Sequence, residues 1–312
     1  NKRLLVTGSI TTGSGNDGAI FIDSGVLEFG STGAMTGGSP VVGATSGSGT
    51  AAIYLNSAGA TFGQQVEIRG GSSGPRIIGG LNTSGTVTYS GNFVSSNSPG
   101  DYDLKAATGG AADFTGTRNF NAGLFVNRPD TSTYGGTVIL SGTTSSNSFT
   151  ALEAGTLQIS DLNRIGTGHF EFNASSGDSG TLRYTGGSAT TTKTLWIDNA
   201  GITRAAIDVS QAGTTLTWNP GSGGVSQNLT KVGAGTLSYG GPITGAATVG
   251  VEGGTLVLTA SNSYTGPTTV SAGRLQANSS NAISSGTITL GDSNTGANAA
   301  SFFIDATTAN TT

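Results

Sequence analysis

Internal repetition is the feature that most restricts how this chain can fold. Residues 136–168 align with residues 254–286 without a gap, and twelve of the 33 aligned positions are identical. A weaker third copy lies near the start of the chain, so that a repeating unit begins near Gly25, Gly155 and Gly273, with the last unit incomplete. Such repetition is the sequence signature of stacked-repeat architectures, in which each repeat buries its apolar face against its neighbours.

A shorter period inside each unit indicates what one repeat contains. Short apolar segments start with Gly-x-Leu, Gly-x-Val or Gly-x-Ile, and several neighbouring starts are equally spaced, as from Gly136 to Gly155 and from Gly254 to Gly273. Within each segment polar and apolar residues alternate, as in residues 255–258. Alternation is typical of a β-strand with one face buried and one face in solvent.

These two periods together predict an all-β chain. We expect a parallel β-solenoid built from rungs of about 20 residues, in which stacking buries a continuous core and pairs the backbone groups. The solenoid is expected to run through residues 1–312 as a single continuous domain. A β-sandwich is the alternative, but its strands have no reason to share a long ungapped self-match.

Composition excludes several other classes of protein. Glycine supplies 54 of the 312 residues and strong helix formers are scarce, which excludes a helical bundle. The chain has no cysteine, so it contains neither a disulfide nor a thiolate metal site. Only 13 residues are Lys or Arg, they do not cluster, and the net charge is −4. This charge pattern predicts no nucleic-acid partner.

One stretch resembles a known family. Residues 229–237, which read Leu-Thr-Lys-Val-Gly-Ala-Gly-Thr-Leu, resemble the opening of the autotransporter-associated β-strand repeat, also called the passenger-associated transport repeat. Residues 254–258, 262–266 and 268–276 are similar to the rest of that repeat. The resemblance implies a right-handed parallel β-helix in a secreted or surface-bound bacterial protein, and hence an extracellular location. The family motif is structural and transfers no catalytic residue.

Paired carboxylates are the chemistry that β-helix enzymes would need to cleave polysaccharides. Three pairs are close enough in sequence to be considered: Asp101 with Asp103, Asp198 with Asp208, and Asp17 with Asp23. Asp101 and Asp103 flank Tyr102 near Lys105, which makes them the most enzyme-like pair. We interpret this pair as part of a solvated loop, because no ladder of aspartates continues from it.

His169 is the only histidine, and it alternates with phenylalanines in the segment His169-Phe170-Glu171-Phe172. In a strand the two phenylalanines would face inward, and His169 and Glu171 would face solvent together. Neither residue recurs in the other copies of the repeat. We therefore predict an exposed pair without an acid–base role.

Residues 13–18 are similar to one turn of a calcium-binding nonapeptide repeat. Such sites need tandem turns that share each ion, and only one copy is present. The sequence therefore predicts no metal-binding, cofactor-binding or catalytic residue.

These observations favour a structural, non-enzymatic segment of a bacterial surface protein that forms a rod, stalk or fibre. The alternative is an adhesin passenger that binds a surface or a glycan, and a polysaccharide-cleaving enzyme is a third hypothesis. Both ends are apolar and strand-like, so the expected partner is the chain itself, through further repeats or head-to-tail stacking. No small-molecule substrate is expected.

The predicted core consists of the inward residues of the alternating segments. They are Leu157, Ile165, Phe170, Phe172, Leu182, Leu237, Leu256, Leu258, Leu275, Ile283, Ile288 and Leu290.

Overall fold

The fold comes from a computed structural model that describes residues 2–7, 10–11, 19–30, 35–96, 100–129, 134–146, 148–174, 177–293 and 299–305. The chain divides into two compact units. Unit 1 contains Asn1–Gln158 and Leu162–Gly168, and unit 2 contains Ile159–Asp161 and His169–Thr312. Each unit is a parallel β-solenoid, and the described part of the chain contains one short 3-10 helix, at Leu162–Ile165.

Unit 1 has three larger sheets and one two-stranded sheet, and successive strands along the chain pass from one sheet to the next. In the first sheet the neighbouring strands are, in order, β1 (Arg3–Val6), β4 (Gly25–Phe29), β7 (Ala51–Leu55), β10 (Arg76–Gly80), β13 (Tyr102–Ala106), β16 (Gly123–Val126) and β19 (Phe149–Leu152). The second has β8 (Thr61–Phe62), β11 (Thr86–Tyr89), β14 (Ala111–Phe114), β17 (Thr137–Leu140) and β20 (Thr156–Ile159). The third has β3 (Ile20–Ile22), β6 (Pro40–Val42), β9 (Val66–Arg69), β12 (Phe93–Ser96), β15 (Arg118–Asn119) and β18 (Thr144–Ser146), and β2 (Ile10–Thr11) pairs with β5 (Met35–Thr36).

Unit 2 also has three sheets. The first has β21 (His169–Phe172), β24 (Leu195–Ile197) and β27 (Gly223–Val225). The second has β22 (Gly177–Tyr184), β25 (Ile202–Val209), β28 (Leu229–Val232), β30 (Val249–Val251), β32 (Thr268–Val270) and β34 (Ile288–Leu290). The third has β23 (Ala189–Thr191), β26 (Thr215–Trp218), β29 (Thr236–Tyr239), β31 (Thr255–Leu258), β33 (Gly273–Ala277) and β35 (Ala300–Ile304).

Inward residues stack in ladders, with one residue from each turn. In the first sheet of unit 1 the strand register aligns Leu27, Ile53, Ile78, Leu104, Val126 and Leu152, all of them buried. In the third sheet of unit 2 it aligns Leu216, Leu237, Leu256 and Leu275, which are fully buried. Burial of such side chains stabilises the fold by about 1.5–3 kcal/mol each, and no single turn could achieve it alone.

Nine of the twelve predicted core residues are buried as expected: Leu157, Ile165, Phe170, Phe172, Leu182, Leu237, Leu256, Leu258 and Leu275. The other three predictions were wrong. Ile283 and Ile288 are half-buried, and Leu290 is 52% exposed. Ile288 and Leu290 lie on β34, which pairs with β32 on one side and with no described strand on the other. No further ladder therefore covers these two side chains.

The length of a turn differs between regions. The described residues form about eleven turns of roughly 25 residues. Leu182 pairs with Ile207, whereas the shorter turns that follow pair Leu237 with Leu256 and Leu256 with Leu275. The predicted rung of about 20 residues, at the lower end of the periods found in solenoids, is therefore right for the later turns of unit 2 and too short elsewhere. Loops lengthen the other turns.

The aligned repeats share a backbone hydrogen bond. The amide of Thr156 donates to the carbonyl of Gly136 at 3.1 Å, and the amide of Arg274 donates to the carbonyl of Gly254 at 2.8 Å. In both copies, then, the strand that follows Gly155 or Gly273 lies one turn after the strand that follows Gly136 or Gly254. The right-handed sense, the super-repeats that start near Gly25, Gly155 and Gly273, and the single continuous solenoid stay predictions.

Glycines occupy one corner of successive turns in unit 1. Gly91, Gly116 and Gly142 each follow a strand of the second sheet. The amide of Gly116 donates to Tyr89 at 3.3 Å, and an added Cβ at Gly116 would overlap the carbonyl oxygen of Gly91. The turns approach each other too closely at this corner for any side chain.

After β16, the Asn127 side chain hydrogen-bonds to the backbone of neighbouring turns. Its Oδ1 accepts from the amide of Ala106 at 2.9 Å, and its Nδ2 donates to the carbonyls of Gly136 at 3.0 Å and Ala154 at 3.1 Å. Asn127 has a φ of 52°, a left-handed conformation that asparagine tolerates better than most residues. The next residue, Arg128, lies over the outer face of the first sheet.

Candidate functional site

The Asp101 and Asp103 pair is held by structural contacts in unit 1. Asp101 is exposed, and its Oδ1 accepts the amide of Gly123 at 2.8 Å. Asp103 lies on the outer face of β13 but is buried, because Arg128 covers it and forms an ion pair with its Oδ1 at 2.6 Å. The guanidinium of Arg128 also lies over the Phe125 ring, 3.3 Å from its centroid. Each carboxylate thus has a separate partner that fixes its position.

A cavity of about 340 Å³ lies beside this pair, and the buried Arg76 forms one wall. The Arg76 guanidinium donates to the carbonyls of Arg69 and Ser72 at 2.5 Å and of Asp101 at 3.2 Å. Burial lowers the pKa of Arg76, while Asp101 and Asp103 oppose that shift. Because its donors are directed to backbone carbonyls, Arg76 ties neighbouring turns together.

The outer face of the first sheet of unit 2 collects a second set of polar residues. His169 and Glu171 lie on β21 and face outward, as predicted, with Nε2 and Oε2 3.5 Å apart. Their side chains are 34% and 24% exposed, so the pair is partly desolvated rather than fully in solvent. Burial raises the pKa of Glu171, His169 opposes that shift, and the negative charge of Asp198 adds to it.

Trp196 is the register partner of Glu171 and was not singled out from the sequence as a functional residue. It is the middle residue of β24, where Leu195 and Ile197 are buried and Trp196 is half-buried on the outer face. The strand register places Glu171 opposite Trp196 on one side and Gly224 opposite it on the other. The alternation of Leu195, Trp196 and Ile197 was the signal that could have identified an outward tryptophan.

The remaining predicted candidates are not brought together. Asp198 is exposed after β24, whereas Asp208 lies on β25 in the second sheet, where Arg183 Nε donates to it at 2.9 Å and Ser210 Oγ at 3.0 Å. Asp23 is described, but Asp17 and residues 13–18 lie outside the described residues. Within the described ranges, no group of three or more His, Asp or Glu side chains is placed to hold a metal ion.

Lys231, the lysine of the motif at residues 229–237, has a structural role. Its strand register places it in an inward ladder between Ile207 and Val251, so its aliphatic stem occupies a core position. Its Nζ donates to the carbonyls of Val232 at 2.5 Å, Gly233 at 2.9 Å and Gly253 at 3.3 Å. The ammonium group therefore joins the corners of two successive turns. Burial lowers its pKa to about 8, and the charge of Asp208 opposes that shift.

This lysine makes stability depend on pH. Its pKa of about 8 in the folded protein lies below the ordinary value of 10.5, so between these values the unfolded chain keeps a proton that the folded chain has released. Raising the pH from 8 to 10 should therefore increase the contribution of Lys231 to the free energy of unfolding, by on the order of 2 kcal/mol. Burial raises the pKa of Tyr89 and Tyr239, which lowers stability near pH 10, so the contribution of Lys231 is the difference from a variant that lacks it. Urea unfolding followed by tryptophan fluorescence measures this increase. The Lys231→Met variant should lack it, and an equal increase in that variant would contradict the assignment.

Comparison with known proteins agrees with the repeat motif and the parallel solenoid. The family model of the passenger-associated-transport-repeat matches residues 252–277. The chain is 41% identical over 113 residues to the adhesin BmaC autotransporter of Brucella suis biovar 1 (strain 1330). That alignment covers 36% of this chain and 3% of the relative, so the chain spans a small part of that protein's length. No solved structure has significant similarity to the chain.

The family model and the parallel solenoid confirm the resemblance that residues 229–276 suggested. In the described part of the chain, no helix has both the length and the hydropathy that a membrane span requires.

Proposed function

Because the chain carries a passenger-associated transport repeat within a parallel β-solenoid, we propose that it is a structural segment of a surface-exposed or secreted bacterial protein. In this role the stacked turns extend the protein without catalysing a reaction. The observation that carries the proposal is that buried ladders continue from turn to turn, and that charged groups such as Lys231 and Arg76 hold the corners together. The candidate carboxylates Asp101, Asp103 and Asp208 all have partners within the fold, which supports a structural use.

Removing one turn in register tests the structural proposal. Residues 236–254 form one complete turn, and Gly235 would then join Thr255 with the same Gly-Thr-Leu junction as before. We expect this deletion in the full surface protein to preserve export, protease resistance and cooperative unfolding, because a shorter stack keeps the same contacts between turns.

A deletion of residues 236–245 is the matched control. It removes β29 and joins β28 directly to the segment before β30. The third sheet therefore loses a strand, whereas the second sheet keeps all of its strands. This variant should be degraded or retained inside the cell. Equal behaviour of the two deletions, or loss of export in the in-register variant, would contradict a role as a modular spacer.

Association with further turns of the same kind is the proposed partner interaction. Leu5 and Phe21 in unit 1, and Phe303 and Ile304 in unit 2, are large apolar side chains that are about half exposed or more. Their exposure supports covering by more of the same chain or by a second copy. Sedimentation velocity of the purified protein over a range of concentrations tests this association. A mass that stays monomeric at every concentration would contradict stacking of copies.

Adhesion is the second candidate function. The relative that aligns with this chain carries the name adhesin, and the outward Trp196 is a side chain suited to contact a ligand. A polysaccharide-cleaving activity is the third hypothesis. It would be supported if purified protein released reducing sugar ends and Glu171→Gln or Asp101→Asn abolished that release.

A further inference from the structure

The outer face of β21, β24 and β27 in unit 2 differs from an ordinary solvated strand face. Register places Glu171, Trp196 and Gly224 side by side on three successive turns. An added Cβ at Gly224 would lie 4.0 Å from a carbon of the Trp196 ring, so the indole borders the space above a residue that has no side chain. We call the surface formed by Glu171, Trp196, Asp198 and Gly224 the Trp196 face.

The two tryptophans of the chain have different environments. Trp218 is fully buried, and its Nε1 donates to the carbonyl of Lys193 at 2.6 Å. Trp196 is half-buried, and its ring contacts no other aromatic ring among the described residues. Part of this outward indole remains in contact with water, so it stabilises the solenoid less than an inward indole would. A ligand that covers the ring would recover that free energy.

The polar groups around the indole define which ligand would fit. Glu171 and Asp198 provide carboxylate oxygens, which only accept hydrogen bonds, and His169 lies 3.5 Å from Glu171. One neighbouring pair continues the polar surface, since Thr194 Oγ1 lies 2.9 Å from Ser222 Oγ. A ligand with several O–H donors beside an apolar face matches this arrangement, whereas a carboxylated ligand would be repelled.

We propose that the Trp196 face binds neutral oligosaccharides built from pyranose rings. The C–H face of a pyranose packs on the indole, and its hydroxyl groups donate to Glu171 and Asp198. Uronic and sialic acid residues are disfavoured because their carboxylates approach two like charges. The face is open rather than enclosed, so binding is weak for a single site, with a dissociation constant of about 1 mM. This inference goes beyond the structural role and assigns a ligand class to the adhesin alternative.

The test is a ligand-observed NMR titration of the protein with maltohexaose, cellohexaose and chitohexaose, and with hexagalacturonate as the acidic probe. At least one neutral hexasaccharide should saturate near about 1 mM, and hexagalacturonate should not bind. Trp196→Ala should weaken binding at least about tenfold, Trp196→Phe should retain part of it, and Glu171→Gln should weaken it severalfold.

Val257→Ala is the matched control, because Val257 is an outward apolar residue of unit 2 that is half-buried, like Trp196, and lies on a different sheet, in β31. It should leave binding unchanged. The proposal is overturned if none of the three neutral probes saturates below about 10 mM, if hexagalacturonate binds equally well, or if Trp196→Ala binds like the parent protein. The variants change outward residues, so their unfolding curves should match that of the parent protein. Loss of binding with an unchanged unfolding curve would therefore be a loss of the ligand site and not of the structural role.

Discussion

Replacing Leu256 with aspartate is expected to unfold the turns around β31. Leu256 is fully buried and its ladder neighbours are Leu237 and Leu275 on the adjacent turns. The substitution removes the transfer free energy of a leucine and buries a carboxylate with no partner, which together cost roughly 5 kcal/mol. Chemical denaturation followed by the fluorescence of Trp218 should show the loss, because Trp218 lies in the same sheet of unit 2.

Val257→Asp provides the control for this prediction. Val257 is the next residue on β31 but lies on the outer face and is half-buried. The same charge placed there should cost about 1 kcal/mol or less, since solvent can reach it. If Leu256→Asp unfolded at the same denaturant concentration as the parent protein, or if Val257→Asp were equally damaging, the assigned strand register would be wrong.

Replacing Gly116 with alanine is the second large effect that we expect. The added methyl group would overlap the backbone oxygen of Gly91, and backbone cannot move aside as a flexible side chain can. The neighbouring turn would have to separate, and its hydrogen bond from Gly116 to Tyr89 would lengthen from 3.3 Å. The expected loss in the free energy of unfolding is about 3 kcal/mol, although the change adds a single carbon atom.

Gly63→Ala isolates the steric cause. Gly63 lies at the same corner region of unit 1, yet the nearest atom to an added Cβ would be Ser90 Oγ at 3.6 Å, an ordinary contact. The stability of this variant should stay within about 0.5 kcal/mol of that of the parent protein. Amide hydrogen exchange at Gly116 and Gly142 would show whether the turns have separated, and unchanged protection in Gly116→Ala would contradict the close approach.

The candidate site was predictable only in part. Alternation in the segment His169-Phe170-Glu171-Phe172 was enough to place His169 and Glu171 outward. It could not bring Asp198 or Trp196 beside them, because those residues come from the next turn of the solenoid. Nor could it bury Asp103, which is covered because Arg128, from the next turn, lies over it.

The sequence by itself determined the parallel solenoid, its inward ladders and the short later turns of unit 2. Alternation and glycine spacing are local properties. Leu237, Leu256 and Leu275 indicate one ladder because each follows a glycine by two positions and the three are equally spaced. Only the tertiary structure decided which outward residues become neighbours and which predicted core residue stays exposed. Register between longer turns depends on how each loop closes, and Leu290 remains 52% exposed because its burial requires another strand rather than an apolar side chain alone.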